Sequence, residues 1–115
     1  MNKVITTQIP FSRPDTTVAS GKGVILSENS PLTGKVISII IHFPGGCNSL
    51  VEIICYINQL QILPLQGFIA LDDDTVTFPV KRAVDGKDKL RVKIENKDTT
   101  NSHTPSIIWN LEGEP

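Results

Sequence analysis

Lys35-Val-Ile-Ser-Ile-Ile-Ile-His-Phe43 and Leu50-Val-Glu-Ile-Ile-Cys-Tyr-Ile57, separated by Pro44-Gly-Gly-Cys-Asn-Ser49, decide how the rest of the chain is read. Branched side chains are stiff at χ1 and suit a pleated surface, so both runs favour strand over helix. Joined by a short glycine-rich segment, they read as a central hairpin of two long strands. No window places apolar residues at helical spacing over the ~11 residues that a helix assignment needs.

Working outward, Gly21 to Asn29 reads as a short strand centred on Val24, Ile25 and Leu26, and Ser30-Pro-Leu-Thr-Gly34 as a turn. Asn58-Gln59 reads as a two-residue turn into Leu60-Gln-Ile-Leu63, which Pro64 stops. Phe68 to Leu71 suggests a further short strand. Thr75 to Val80 alternates, with Val76, Phe78 and Val80 on one face. Asp85-Gly86 is a turn signal, and Asp88 to Asn96 turns Leu90, Val92 and Ile94 inward. Lys97 to Thr104 is a polar loop before a last strand, Ser106 to Leu111.

Short strands at roughly even spacing, punctuated by Gly, Pro, Asp and Asn, indicate an all-β fold. The expectation is a two-sheet antiparallel β-sandwich of about eight strands, jelly-roll-like. An immunoglobulin-like sandwich is the alternative, but Trp109 follows both cysteines and so lacks the Cys…Trp…Cys spacing. Residues 1–20, polar and carrying Pro10 and Pro14, read as an extended N-terminal arm with at best an edge strand at its start, and residues 21–115 as a single sandwich domain. Phe11 is the expected anchor of that arm on a neighbour.

Composition narrows the role. A chain of 115 residues with 39% hydrophobic content supports one core, and a net charge of −1 steers the whole molecule to neither nucleic acid nor anionic membrane. No run approaches the ~18 apolar residues of a membrane span. The N-terminus lacks the pattern of a secretory signal, so synthesis in a cytoplasm without export by that route is expected. Two cysteines, Cys47 and Cys55, are too few for a disulfide framework, and free thiols are expected, Cys55 as a small core residue.

Strict alternation fails in the central pair. With Ile37, Ile39, Ile41 and Phe43 inward, Val36 and Ile40 point out; with Val51, Ile53, Cys55 and Ile57 inward, Ile54 and Tyr56 point out. The last strand adds Ile108, opposite in facing to Ile107, Trp109 and Leu111. A second apolar face implies a cover. The arm or the loop Pro64–Phe68 would supply it from within; otherwise Val36, Ile40, Ile54, Tyr56 and Ile108 form a subunit interface.

Candidate chemistry is sparse. Asp72, Asp73 and Asp74 offer oxygen ligands to calcium, but they lack the spacing of a calcium loop and read as a solvated turn. Catalysis would need two or more of His42, Cys47, His103 and the aspartates to converge, and no motif places them together, so no enzyme, metal or cofactor is expected. Lys89, Arg91 and Lys93 line one side of a strand, suiting electrostatic docking to an acidic protein surface. With no aromatic interleaved, they argue against nucleic acid. Tyr56 and Trp109 make a thin platform for sugar stacking, and the alternation of Trp109 with core residues places it inside.

The punctuation of Phe43-Pro-Gly-Gly-Cys-Asn48, Ile69-Ala-Leu-Asp-Asp73, Phe78-Pro-Val80 and Asn96-Lys-Asp98 resembles that of small jelly-roll structural proteins of phages and other viruses, capsid decoration or cement proteins among them. That resemblance implies a non-enzymatic assembly protein, a homo-oligomer with a trimer favoured, bound to a larger particle such as a capsid and located in the virion. The alternative is a β-sandwich module binding carbohydrate or a calcium-dependent partner through Asp72–Asp74.

Overall fold

The computed structural model describes residues 3–115. Eight strands follow in order: β1 (Ile5–Phe11), β2 (Gly23–Asn29), β3 (Thr33–Phe43), β4 (Val51–Ile57), β5 (Leu60–Leu63), β6 (Asp74–Val84), β7 (Lys89–Asn96) and β8 (Ser106–Glu114). They form two four-stranded sheets, sheet I in the order β1-β8-β3-β6 and sheet II in the order β2-β7-β4-β5. Every pairing between strands is antiparallel. Among the described residues no helix is long and apolar enough to cross a membrane.

The pairing explains the topology. First pairs with last (β1–β8), second with seventh (β2–β7), third with sixth (β3–β6) and fourth with fifth (β4–β5). One long double ribbon is thus rolled up, and the rolling adds the contacts β3–β8 and β4–β7. This is the jelly roll of two packed sheets.

Alternation supplies the core. Ile39, Ile41, Phe43, Trp109 and Leu111 from sheet I face Val51, Ile53, Cys55, Leu90, Val92 and Ile94 from sheet II, all fully buried. Each large aliphatic or aromatic side chain so buried contributes roughly 1.5–3 kcal/mol. At the open end of sheet I, Gly34 lies opposite Gly113. A Cβ on either would overlap the backbone of the other strand, so only glycine allows this approach.

Three features differ from the sequence reading. The two long runs are not a hairpin: β3 lies in sheet I and β4 in sheet II. Residues Pro44 to Leu50 carry the chain across, bent by positive φ at Gly46 (96°), Asn48 (51°) and Ser49 (59°), and Cys47 is drawn into the core. The tight hairpin lies elsewhere: Asn58-Gln59 joins β4 and β5 as a two-residue loop, with Asn58 in the left-handed region at φ 55°.

The second difference is a β-bulge between Val36 and Ser38, against both β6 and β8. An inserted residue reverses the facing of everything before it. Val36 therefore points inward at 0% exposure, and Ile37 takes the outer side, where it lines a shallow groove with Thr6, Gln8 and Asn110.

The third is the arm's anchor, which turns into this chain and not onto a neighbour. Ile5–Phe11 is an edge strand of sheet I, Phe11 is buried in this chain's own core, and Thr16 and Val18 are buried beyond it. Backbone hydrogen bonds between Val18 and His103 (2.9 and 3.1 Å) tie the following loop down. The Met1-Asn2 end of the expected arm lies outside the described residues. The expected strand at Phe68–Leu71 reduces to a single bridge, Ile53 with Ile69.

Candidate interaction surfaces

Register places the outward side chains in rows. On sheet I one row is Pro10, Ile108, Ile40 and Thr77, and the next is Gln8, Asn110, Ser38 and Pro79. Gln8 Nε2 donates to Asn110 Oδ1 (3.0 Å), and Asn110 Nδ2 donates to Ser38 Oγ (3.0 Å), a neutral ladder across three strands. His42 Nδ1 and Thr75 Oγ1 are 2.7 Å apart at the β3–β6 pairing. Lys35 and Glu112 stand opposite each other at the far end. Among the described residues, the middle of this face carries no charge.

The outer side of sheet II is charged. Its rows are Ile25, Lys93, Ile54 and Ser27, Arg91, Tyr56, Gln61. Glu95 accepts from Lys93 (2.9 Å) and Lys97 (3.1 Å). These bonds hold the Glu95 carboxyl below its ordinary range and raise both ammonium groups. Arg91 Nη1 donates to the Asn58 carbonyl (3.3 Å) and Lys89 Nζ to Asn29 Oδ1 (3.3 Å). The cationic row exists, but each of its members has a partner within the chain. Tyr56 stands beside Arg91, so an aromatic is interleaved after all. It comes from the neighbouring strand, and β7 alone could not reveal it.

The expected interface is therefore divided. Ile40 and Ile108 are neighbours on sheet I, whereas Ile54 and Tyr56 lie on the opposite side of the molecule, and Val36 belongs to the core. The loop after β5 covers neither face, since Leu65 is 71% and Phe68 51% exposed. Trp109 is fully buried and Tyr56 half-buried.

A second grouping lies at the end of the sandwich under the β3–β4 loop. Asp72 Oδ1 accepts the N–H groups of Gly46 (3.0 Å) and Asn48 (2.9 Å), so this carboxylate closes the loop. Asp74 opens β6 opposite Phe43. Among the described residues no three His, Cys, Asp or Glu side chains are grouped to hold a metal ion. Asp98 Oδ2 accepts from His103 Nε2 (2.8 Å), while its Oδ1 accepts from Thr100 N (2.9 Å) and Asn101 N (3.3 Å), which together hold its carboxyl well below the usual range. Burial and the charges of Asp72 and Asp98 push the Cys47 thiol up to about 11, so it stays protonated at neutral pH and is a poor nucleophile. His42 stands apart on the outer side of sheet I. Both cysteines are free and buried.

No protein-family model matches the sequence, and no curated protein matches it significantly. Solved structures do share its architecture. A protein of Bacillus endospore appendages, described as disulfide-linked pili, is 14% identical with a TM-score of 0.58, over 99% of this chain and 90% of that one. FlhE is 14% identical with a TM-score of 0.53, over 94% and 96%. Dimeric latent PorU from Porphyromonas gingivalis is 6% identical with a TM-score of 0.56, over 99% of this chain and 13% of that one. At such identities the likeness is one of fold: the chain is an eight-stranded β-sandwich.

Proposed function

We propose that this protein is a non-enzymatic assembly subunit that packs against further copies of itself, a trimer being the favoured closed form, and docks on a larger particle such as a capsid. The observation that carries this reading is the uncharged middle of the outer face of sheet I among the described residues, with Ile40 and Ile108 side by side in it. Centres of protein interfaces are depleted of charge because ions resist desolvation. Here the polar row beside the two isoleucines is already bonded within itself along Gln8, Asn110 and Ser38. Covering them strands few donors, while burial of apolar area at roughly 25 cal/mol per Å² favours contact.

A chain of the same fold belongs to the Bacillus endospore appendages, described as disulfide-linked pili. In the present chain Cys47 and Cys55 are buried, so its assembly relies on noncovalent faces. Location in a virion, as a decoration or cement protein, is the most specific form of this proposal.

Light scattering during size-exclusion chromatography tests it. The native protein is expected as an oligomer, and the double variant Ile40→Lys, Ile108→Lys at a smaller mass. Ile54→Lys, on the other sheet, should leave the mass unchanged. A double variant that retains the native mass overturns the assignment of this face.

A further inference from the structure

The four edge strands of the sandwich are unequally protected. β1 carries Pro10, β6 carries Pro79 and an irregularity with Lys81 at φ 56°, and β5 is only four residues long. Prolines, bulges and shortness are three of the devices that stop an edge from pairing with another chain. β2, Gly23-Val-Ile-Leu-Ser-Glu-Asn29, has none of them. Val24 and Leu26 remain only partly buried on its inner side, and Ile25 is 53% exposed on its outer side.

The hydrogen-bonding phase of this edge is fixed by the bonds at its two ends. Asn96 N donates to Lys22 O (2.8 Å) and Ser30 N to Asp88 O (2.7 Å), which makes Lys22–Asn96 and Ser30–Asp88 bonded pairs of the β2–β7 ladder. Alternation then points the N–H and C=O groups of Val24, Leu26 and Glu28 toward β7, and those of Gly23, Ile25 and Ser27 away from the sheet. The latter face open solvent.

We propose that the β2 edge is the seam of a two-fold dimer, in which β2 pairs antiparallel with β2 of a second copy, Ile25 opposite Ile25. The partner follows from the strand's own pattern. In this register Gly23 meets Ser27 and Ile25 meets Ile25, so that roughly six backbone hydrogen bonds form from the outward groups. On the inner side the order Lys22, Val24, Leu26, Glu28 meets Glu28, Leu26, Val24, Lys22. Cation faces anion at both ends, and apolar faces apolar between them. None of the ion pairs of the described residues uses Lys22 or Glu28, so both are at liberty to form this contact. The two copies of sheet II become one continuous eight-stranded sheet. The seam rests on the assembly reading above only in that the partner is another copy, and it uses a different surface. A seam of one strand pair lies at the small end of interface sizes, below ~1,200 Å², so the dimer is expected to be weak.

Sedimentation equilibrium from micromolar to millimolar protein tests the seam by charge reversal. Lys22→Glu alone, and Glu28→Lys alone, should each weaken dimerisation at least tenfold, because like charges then meet. The double reversal Lys22→Glu, Glu28→Lys should restore it, and the two single variants mixed should form a heterodimer. Ser27→Pro removes an outward N–H at a position that an edge strand tolerates and should also abolish this pairing, leaving any association through sheet I intact. Native-like dissociation constants in the single variants and in Ser27→Pro, or a native protein that stays monomeric throughout, overturn the seam. To separate the two proposals, the same measurement is made on Ile40→Lys, Ile108→Lys. A residual dimer there that Ser27→Pro dissolves supports the β2 seam, whereas loss of all association in the lysine variant with none in Ser27→Pro overturns it.

Discussion

Ile40 on sheet I lies among Pro10, Ile108 and Thr77, while Ile54 on sheet II lies beside Lys93. Both residues sit on an outer face, and both are half-buried by their neighbours. The surroundings differ in how they meet water. Sheet II surrounds its apolar side chains with ions, and those ions find partners in Glu95, Asn58 and Asn29 of the same chain. Sheet I surrounds its own with hydroxyls and amides bonded to one another. A face finished with ions resists being covered, whereas a face finished with a neutral ladder gives up little hydration. Counting outward isoleucines cannot tell the two apart; their cross-strand neighbours can.

The comparison depends first on which side chains face outward, and the bulge in β3 decides that. Val36→Ala should destabilise by about 2 kcal/mol, since it leaves a void in the core, and Val36→Lys should fail to fold because it buries an unpaired charge. Ile37→Ala and Ile37→Lys should each fall within about 1 kcal/mol of the native chain in urea unfolding. If the alanine pair comes out in the reverse order, strict alternation through Ile37 is restored and the outer face of sheet I must be redrawn.

How much of this could be read from the sequence follows from how far each determinant lies along the chain. The inward sets Leu90, Val92, Ile94 and Ile107, Trp109, Leu111 are legible because alternation within one strand is a local property. So are the turns at Asn58-Gln59 and Asp85-Gly86. The facing of Val36 is not, because the bulge is a mismatch of register with β6 and β8, about 40 and 70 residues further on. The crossing of the β3–β4 loop is hidden for the same reason. Its cap is the carboxylate of Asp72, which bonds Asn48 N across a separation of 24 positions. Composition alone leaves Asp72 as one of three acidic residues in a turn. The outward facing of Ile40, Ile54, Tyr56 and Ile108 is legible; their division between two sheets is a matter of topology, and so is the pairing of Tyr56 with Arg91.

A milder perturbation addresses the neutral ladder. Asn110→Ala removes both the bond from Gln8 and the bond to Ser38. The expected loss is about 1 kcal/mol, since water can reach the partners left behind. It should be the same in low salt and in high salt, because no ion takes part. A loss that shrinks with added salt would place charge on this face and remove its distinction from sheet II.

The smallest effect is expected on the ionic face, and its signature lies in its dependence on conditions. Glu95→Gln removes the negative charge that Lys93 and Lys97 share and one of the two oxygens that accept from them. These side chains are solvated, so the change in stability at neutral pH should be slight and should vanish in high salt. Protonation gives the sharper test. The folded pKa of Glu95 lies below its ordinary value near 4.5, so its contribution is complete above that value and is lost as pH falls through the folded pKa. Lys93 and Lys97 are raised above their ordinary 10.5, so theirs is complete below that value and is lost as pH rises through the folded pKa values. The stability difference between native protein and Glu95→Gln should therefore form a plateau between these limits and close on both flanks. The corresponding difference for Asn110→Ala should stay flat across the same range. Two parallel profiles would mean that the ions of sheet II are as indifferent to their partners as the amides of sheet I, and the contrast used to choose the assembling face would no longer hold.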